Sequence, residues 1–158
     1  ALKQLVSEGG TVSDFDDSDA LQNAALLELD CDVLIPAAIE DVITAQNASS
    51  VKAKIIIEGA NRPITSAADE VRVDANQSIV RDILANAGGV VASYFESAQN
   101  IQVFNWELER VNRELDKKMN EAYDVTKAYA DRNGGSLREA AFAVGRVSEA
   151  IKIRSYVG

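Results

Sequence analysis

Between residue 11 and about residue 87, short apolar runs alternate with amphipathic stretches of helical length; from residue 88 onward the apolar period is helical throughout. Leu2, Leu5 and Val6 are spaced to share a helix face, which predicts a helix over 2–8 stopped by Gly9-Gly10. Thr11-Val-Ser-Asp-Phe15 alternates and carries β-formers, so a short strand is expected, followed by an acidic turn over Asp16 to Asp19. A helix from about Asp19 to Leu29 would place Leu21, Ala24, Ala25 and Leu29 on one side. Val33-Leu-Ile-Pro36 is apolar at every position and suits a strand covered on both faces, as in a parallel sheet; Pro36 ends its ladder.

The alternation continues. Ile39 to Asn47 is expected to be helical with Ile39, Val42 and Ile43 inward, and Asn47-Ala-Ser-Ser50 breaks it. Ala53-Lys-Ile-Ile-Ile57 is the strongest strand, and the turn Glu58-Gly-Ala-Asn-Arg-Pro63 follows it. Ser66-Ala-Ala-Asp69 has capping-box spacing and opens a helix to about Ala75, after which Ile79-Val80 starts the last short strand. Beyond it come a helix from Gly88 to about Val103 and a longer one from Trp106 to Arg132, with Leu108, Val111, Leu115, Met119, Ala122, Val125 and Ala128 at spacings of three and four. Asn133-Gly-Gly135 stops that helix. Ser136-Leu-Arg-Glu139 is a full capping box for a final helix over Leu137 to Arg154, with Ala140, Ala141, Val144, Val147 and Ile151 inward. Tyr94, Phe95, Phe104, Trp106 and Phe142 read as core or helix-interface aromatics. Strands separated by helical segments imply βαβ crossovers, hence an α/β fold built on a parallel sheet.

Composition narrows the chemistry. The formal charge is −9 and no basic run exceeds Lys117-Lys118, which argues against nucleic acid and anionic membranes as partners. Cys31 is the only cysteine, so no internal disulfide can form; its apolar surroundings suit a buried inert thiol, and a reducing cytoplasm fits. The chain has no histidine, which removes imidazole acid–base catalysis, Ser-His triads and imidazole metal ligands together. No Cys pair or close carboxylate cluster replaces them, so no metal is expected. No apolar run approaches the ~18 residues of a membrane span, and no signal peptide is expected.

The candidate chemistry lies at the carboxyl ends of the strands, where open α/β sheets bind ligands. Pro36 ends one strand, Asn61 stands in the turn after the next, and Asp82-Ile-Leu-Ala-Asn-Ala-Gly-Gly-Val-Val-Ala-Ser-Tyr-Phe-Glu96 follows the third. Gly88 and Gly89 permit close approach of a flat ligand to the backbone, and Asn86 offers a donor and an acceptor suited to a carboxamide or a ribose hydroxyl. On spacing alone the same glycines read first as a tight turn into a helix.

Four segments in order, Leu29-Asp-Cys-Asp-Val-Leu-Ile-Pro-Ala-Ala38, Ile57-Glu-Gly-Ala-Asn-Arg-Pro63, Asp82-Ile-Leu-Ala-Asn-Ala-Gly-Gly89 and Ser93-Tyr-Phe-Glu96, make nearly the whole chain resemble the cofactor domain of glutamate dehydrogenase. The wider family deaminates glutamate, leucine, phenylalanine or valine oxidatively with a nicotinamide cofactor. The resemblance implies the second half of a Rossmann-like parallel sheet followed by three C-terminal helices, residues 1–158 forming a single partial dinucleotide-binding domain with β/α units to about residue 87 and helices from 88. It implies NAD or NADP as cofactor, with the Pro36-Ala37-Ala38 turn bordering the adenosine half, Asn61 and Asn86 bonding the nicotinamide ribose and carboxamide, and Gly88 beside them. Ser93 matches the position that bonds the substrate's side-chain carboxylate in glutamate-specific members; on its own it is an ordinary helix-surface serine.

The resemblance also defines what these residues lack. The phosphate-cradling Gly-x-Gly-x-x-Gly turn and the substrate domain with its catalytic lysine and aspartate would lie upstream, so no catalytic residue is expected here and the chain alone should be inactive. A missing N-terminal half or a second copy of the chain is then the expected partner, in a homo-oligomer. A non-enzymatic, self-associating scaffold derived from that domain is the alternative, because half a doubly wound sheet leaves an open strand edge. Two departures mark the site: relatives commonly carry Val-Pro-Asp where this chain has Val80-Arg81-Asp82, and Trp where Ser97 stands. Such changes should expose or repack a buried surface unless a partner covers it.

Overall fold

Three short parallel strands form the centre of the molecule, in the order β1 (Val33–Leu34), β2 (Ile55–Ile57) and β3 (Ser78–Val80). The register pairs Leu34 with Ile56 and Ile56 with Ile79, so one apolar row runs across the sheet. The computed structural model describes residues 1–16, 18–19, 21–73 and 78–145. Around the sheet lie helices α1 (Leu2–Ser7), α2 (Asn23–Leu27), α3 (Ser66–Val73) and α4 (Asp82–Ala85), then α5 (Gly88–Gln102), α6 (Leu108–Asn133) and α7 (137–145). The fold is α/β with three C-terminal helices, as expected; the end of the last helix, including Val147, Ile151 and Arg154, lies outside the described residues, as do Ala75 and Asp17.

The core collects Ile43, Val51, Ala53, Ile56, Ile64 and Ala68, against which Cys31, Leu34, Val42 and Ile79 pack half-buried. Burying an isoleucine completely contributes about 2–3 kcal/mol, and Ile43, Ile56 and Ile64 are all fully buried.

Several local expectations give way to tertiary contacts. Residues 39–47 are not a helix. Ile43 pairs with Ile64 in a parallel bridge, Ile43 N–H donates to the Pro63 carbonyl (2.9 Å), and Thr65 N–H donates to the Ile43 carbonyl (3.0 Å). Asp41 stands at φ 53°, which no right-handed helix contains, and the Asn47 side chain closes the following turn on Thr44 N–H and the Val42 carbonyl. Thr11–Phe15 is no strand either: Thr11 and Asp14 close a capping box around a 3₁₀ turn at Val12–Asp14. The predicted helix over 19–29 shortens to α2. Strand β1 is paired only with β2 among the described residues, and Val33 and Ile35 stay exposed, contrary to the two-sided cover their pattern suggested.

Local punctuation was read well elsewhere. Gly134 and Gly135 take φ of 70° and 98° at the end of α6, and Ser136 exchanges both capping-box bonds with Glu139 to open α7. Ala140 and Ala141 of α7 are buried. For α3 the cap is one residue earlier than expected: Thr65 Oγ1 accepts the Ala68 N–H, which leaves Asp69 for another task. Phe95 and Trp106 stack at 5.3 Å with Arg110 over the indole, whereas Tyr94, Phe104 and Phe142 are exposed rather than core.

Candidate functional site

Three turns meet at the carboxyl ends of the strands. Pro36 is buried after β1, and its carbonyl accepts the Ala60 N–H (2.9 Å), lashing the first turn to the second. The turns approach closely at Gly59, where a Cβ would stand 3.0 Å from the Cβ of Ala37; an alanine here would push the two strand ends apart. The second turn is bound to the third by Arg62, whose N–H donates to Asp82 Oδ2 (2.8 Å) while its guanidinium pairs with Asp41 (3.0 Å). Arg62 itself is left-handed at φ 47°, a strain these bonds hold in place.

Asn86 caps α4 and reaches back across the turn. Its Nδ2 donates to Asn61 Oδ1 at 2.7 Å and, more weakly, to the Gly59 carbonyl at 3.4 Å. The pair stands in an open cleft of about 500 Å³ lined by Ala38, Ile39 and Glu40, by Gly59, Ala60 and Asn61, and by Asn86, Gly89 and Val90. Among the described residues neither Asn61 Nδ2 nor Asn86 Oδ1 has a protein partner, so the pair offers one amide donor and one carbonyl acceptor side by side. The walls beside them are glycine and alanine.

The structure thus brings Ala38, Asn61 and Asn86 to one cleft, but distributes the other expected residues around it. Pro36 and Ala37 line an adjoining apolar groove of about 310 Å³ with Leu26, Leu27 and Leu34; Ala38 and Ile39 belong to both. Gly88 faces elsewhere: a Cβ there would meet Leu115 and Met119 of α6 at 3.8 Å, and it is Gly89 that borders the cleft. A Gly-Gly pair at a helix start carries no sign of which member faces a ligand; that depends on where α6 packs. Ser93 is exposed on α5, four residues beyond Gly89 and three beyond Val90, which puts it on the helix face that continues the cleft wall. Ser97 is exposed too and donates its hydroxyl to the Ser93 carbonyl (3.0 Å).

Beneath the cleft lies a charged cluster that sequence reasoning missed, except for flagging Arg81 as unusual. Glu58 is 1% exposed and Arg81 5%. Glu58 Oε1 accepts from Arg81 Nη1 (3.1 Å) and Oε2 accepts the Asp82 N–H (2.9 Å). Arg81 also pairs with Asp69, whose second oxygen takes Arg138 of α7. Arg81 is therefore repacked rather than exposed. Burial pushes the Glu58 carboxyl above its ordinary value of 4.5, against the opposing pull of the Asp82 N–H and the Arg81 guanidinium. Among the described residues no group of acids, cysteines and histidines could hold a metal ion.

An amide pair on small-residue walls stands at the carboxyl ends of the parallel strands of an open α/β domain, the position at which such sheets bind ligands. Residues 1–154 match the model of the Glutamate/Leucine/Phenylalanine/Valine dehydrogenase family, and the chain belongs to that family. Among solved structures it is similar to the glutamate dehydrogenase of Peptoniphilus asaccharolyticus (35% identity, TM-score 0.69, covering 77% of this chain and 31% of that one). It is also similar to the hetero-hexameric glutamate dehydrogenase of Thermus thermophilus in its leucine-bound form (27%, TM-score 0.83, 96% and 37%). Likeness extends to the Plasmodium falciparum glutamate dehydrogenase (26%, TM-score 0.73, 83% and 29%). The chain spans about a third of the length of each of these relatives.

Proposed function

We propose that this chain supplies the nicotinamide-side wall of an NAD- or NADP-dependent dehydrogenase that converts glutamate to 2-oxoglutarate and ammonia. The observation that carries the reading is the Asn61–Asn86 pair, held at 2.7 Å with one donor and one acceptor unused toward a cleft between strand ends. That set fits a carboxamide and a ribose hydroxyl. It does not fit a pyrophosphate, since no lysine or arginine lines the cleft. The nicotinamide, when bound, accepts the hydride. The chain's own residues orient it: Asn61 and Asn86 fix the ring and ribose, Gly59, Ala60 and Gly89 let it lie flat, and the Pro36–Ala38 turn borders the adenosine half. Ser93 donates its hydroxyl to the substrate's side-chain carboxylate, which favours glutamate over apolar amino acids.

No Gly-x-Gly-x-x-Gly turn occurs in these 158 residues, and none of the cleft residues is a lysine that could serve in amine chemistry. The reading therefore assigns catalysis to an assembly with an N-terminal half, in a cytoplasmic homo-oligomer. The test is to join the chain to the upstream segment of a solved relative and titrate with NAD and NADP by calorimetry, then assay glutamate-dependent reduction. Asn86→Ala should weaken nucleotide binding about tenfold, the size of one or two lost hydrogen bonds. Ser93→Ala should lower the preference for glutamate over leucine and leave nucleotide affinity unchanged. A joined protein with no amino-acid-dependent reduction overturns the reading.

A second reading, a self-associating scaffold, is favoured by the edge of β1 left unpaired among the described residues and by exposed Leu26, Ile35 and Ile39 beside it. Light scattering decides it: a monomer at all concentrations excludes self-pairing.

A further inference from the structure

The charged cluster under the cleft is built to a pattern that stability alone does not require. A buried ion pair often breaks even against well-packed apolar residues, because desolvation of two charges cancels most of their attraction. Here the charges stand at the roots of both amide-bearing turns. Glu58 immediately precedes Gly59-Ala60-Asn61, and its Oε2 accepts the N–H of Asp82, the first residue of α4, which Asn86 caps. Asp82 in turn accepts the Arg62 N–H at 2.8 Å, so the residue after Asn61 hangs from the same point. Arg81 holds Glu58 at 3.1 Å with one arm and Asp69 of α3 with the other, and Asp69 takes Arg138 of α7 on its remaining oxygen. The fork geometry of a guanidinium is what spans two carboxylates at once; an ammonium holds only one of them well.

We propose that Arg81 is a positioning residue: through Glu58 and Asp82 it sets the spacing of the Asn61–Asn86 amide pair, and through Asp69 and Arg138 it ties that spacing to the seating of α7. The role deepens the reading of the two asparagines as the nicotinamide contacts and rests on it for its functional meaning. Arg81 touches no ligand itself. The prediction is that loosening α7 loosens the amide pair across three successive charged contacts, even though Arg138 lies on a different element from either asparagine.

The test reads the asparagine side chains directly by ¹⁵N NMR of the 158-residue chain, with no cofactor present, so it can fail or succeed independently of nucleotide binding. Arg81→Met should shift the Asn61 and Asn86 side-chain amide resonances and speed proton exchange at Asn86 Nδ2, the donor of the pair, about tenfold, the scale of coupling within one charged network. Arg81→Lys should restore part of the loss. The Gln99 side-chain amide, bonded to the Phe95 carbonyl at 3.1 Å in the α5–α6 elbow, serves as the internal reference and should not move. Arg138→Met removes only the partly exposed outer contact and serves where Arg81→Met fails to fold; it should shift the same two resonances in the same direction and speed exchange at Asn86 about two- to threefold. Exchange that rises equally at Asn86 and Gln99, or resonances of the two asparagines that stay put in Arg138→Met, would show that the cluster merely stabilises the fold and would overturn the proposal.

Discussion

Ile56 and Ile101 are the same residue in two different regions, one completely buried in the sheet and the other 84% exposed at the end of α5. The sheet region closes on itself. Ile56 has Leu34 and Ile79 across the strands and Ile43 and Ile64 from the extended segments beside it. The α5–α6 region is held by polar and aromatic fastenings at one elbow: Gln99 bonds both the Phe95 carbonyl and the Trp106 N–H, and Phe95, Trp106 and Arg110 stack in sequence. Around that elbow Ile101, Val103, Phe104 and Leu108 face solvent. The difference shows that apolar identity set the secondary structure in both regions, while burial followed only where a second layer of the chain was available. The cleft lies between the two regions: its amide-bearing turns are rooted in the buried sheet cluster through Glu58 and Arg81, while its Val90 and Ser93 wall belongs to the sparsely covered α5.

The contrast can be broken most forcefully at its two isoleucines. Ile56→Ala should cost about 4 kcal/mol in urea denaturation, as a full-size cavity does, while Ile101→Ala should stay within about 0.5 kcal/mol; equal costs would mean that the elbow is covered in solution. A smaller effect of opposite sign is expected at Val103, which ends α5 at φ 51° with 92% of its surface exposed. A β-branched residue pays about 1–2 kcal/mol in that conformation, so Val103→Gly should stabilise by about 0.5–1 kcal/mol after the extra freedom of glycine in the unfolded chain is subtracted. A destabilised variant would show that Val103 makes contacts worth more than its strain.

The subtlest difference lies in pH dependence. Folded Glu58 holds its proton to higher pH than the unfolded chain's 4.5, so the native state binds the extra proton. Its contribution is fully present below 4.5 and is lost as pH rises through the raised folded value. Glu58→Gln cannot titrate, and its melting temperature should fall less than that of the wild type as pH is raised from 4.5 toward neutrality. Parallel melting profiles would contradict the raised carboxyl.

Much of the fold was legible because its signals are local. Glycines at 134 and 135 and the Ser136–Glu139 box act within four residues of one another, and the isoleucine run of β2 needs only its own side chains to favour extension. The expected helix at 39–47 failed for the opposite reason: its N–H groups found carbonyls at Arg62 and Pro63, about twenty residues away, and those bonds outweighed a helical period of three apolar residues. Of the residues the resemblance marks, the structure places Asn61, Asn86 and Ala38 in one cleft and turns Gly88 toward α6, beside which Gly89 borders the cleft. Ser66-x-x-Asp69 has capping-box spacing, yet Thr65 provides the cap and Asp69 bridges two arginines.

By itself, then, the amino-acid order determined the three strands of the sheet, though not the strand expected at Thr11–Phe15, together with the stop at Gly134-Gly135 and the presence of two asparagines and a serine after strand ends, since each depends on neighbours in the chain. Tertiary structure decided that Asn86 meets Asn61 at 2.7 Å across a sequence separation of 25, that Gly88 turns toward α6, and that Arg81 is buried between Glu58 and Asp69. Those outcomes rest on partners brought together only when the sheet closes, and a buried charge can exist only where such partners wait for it.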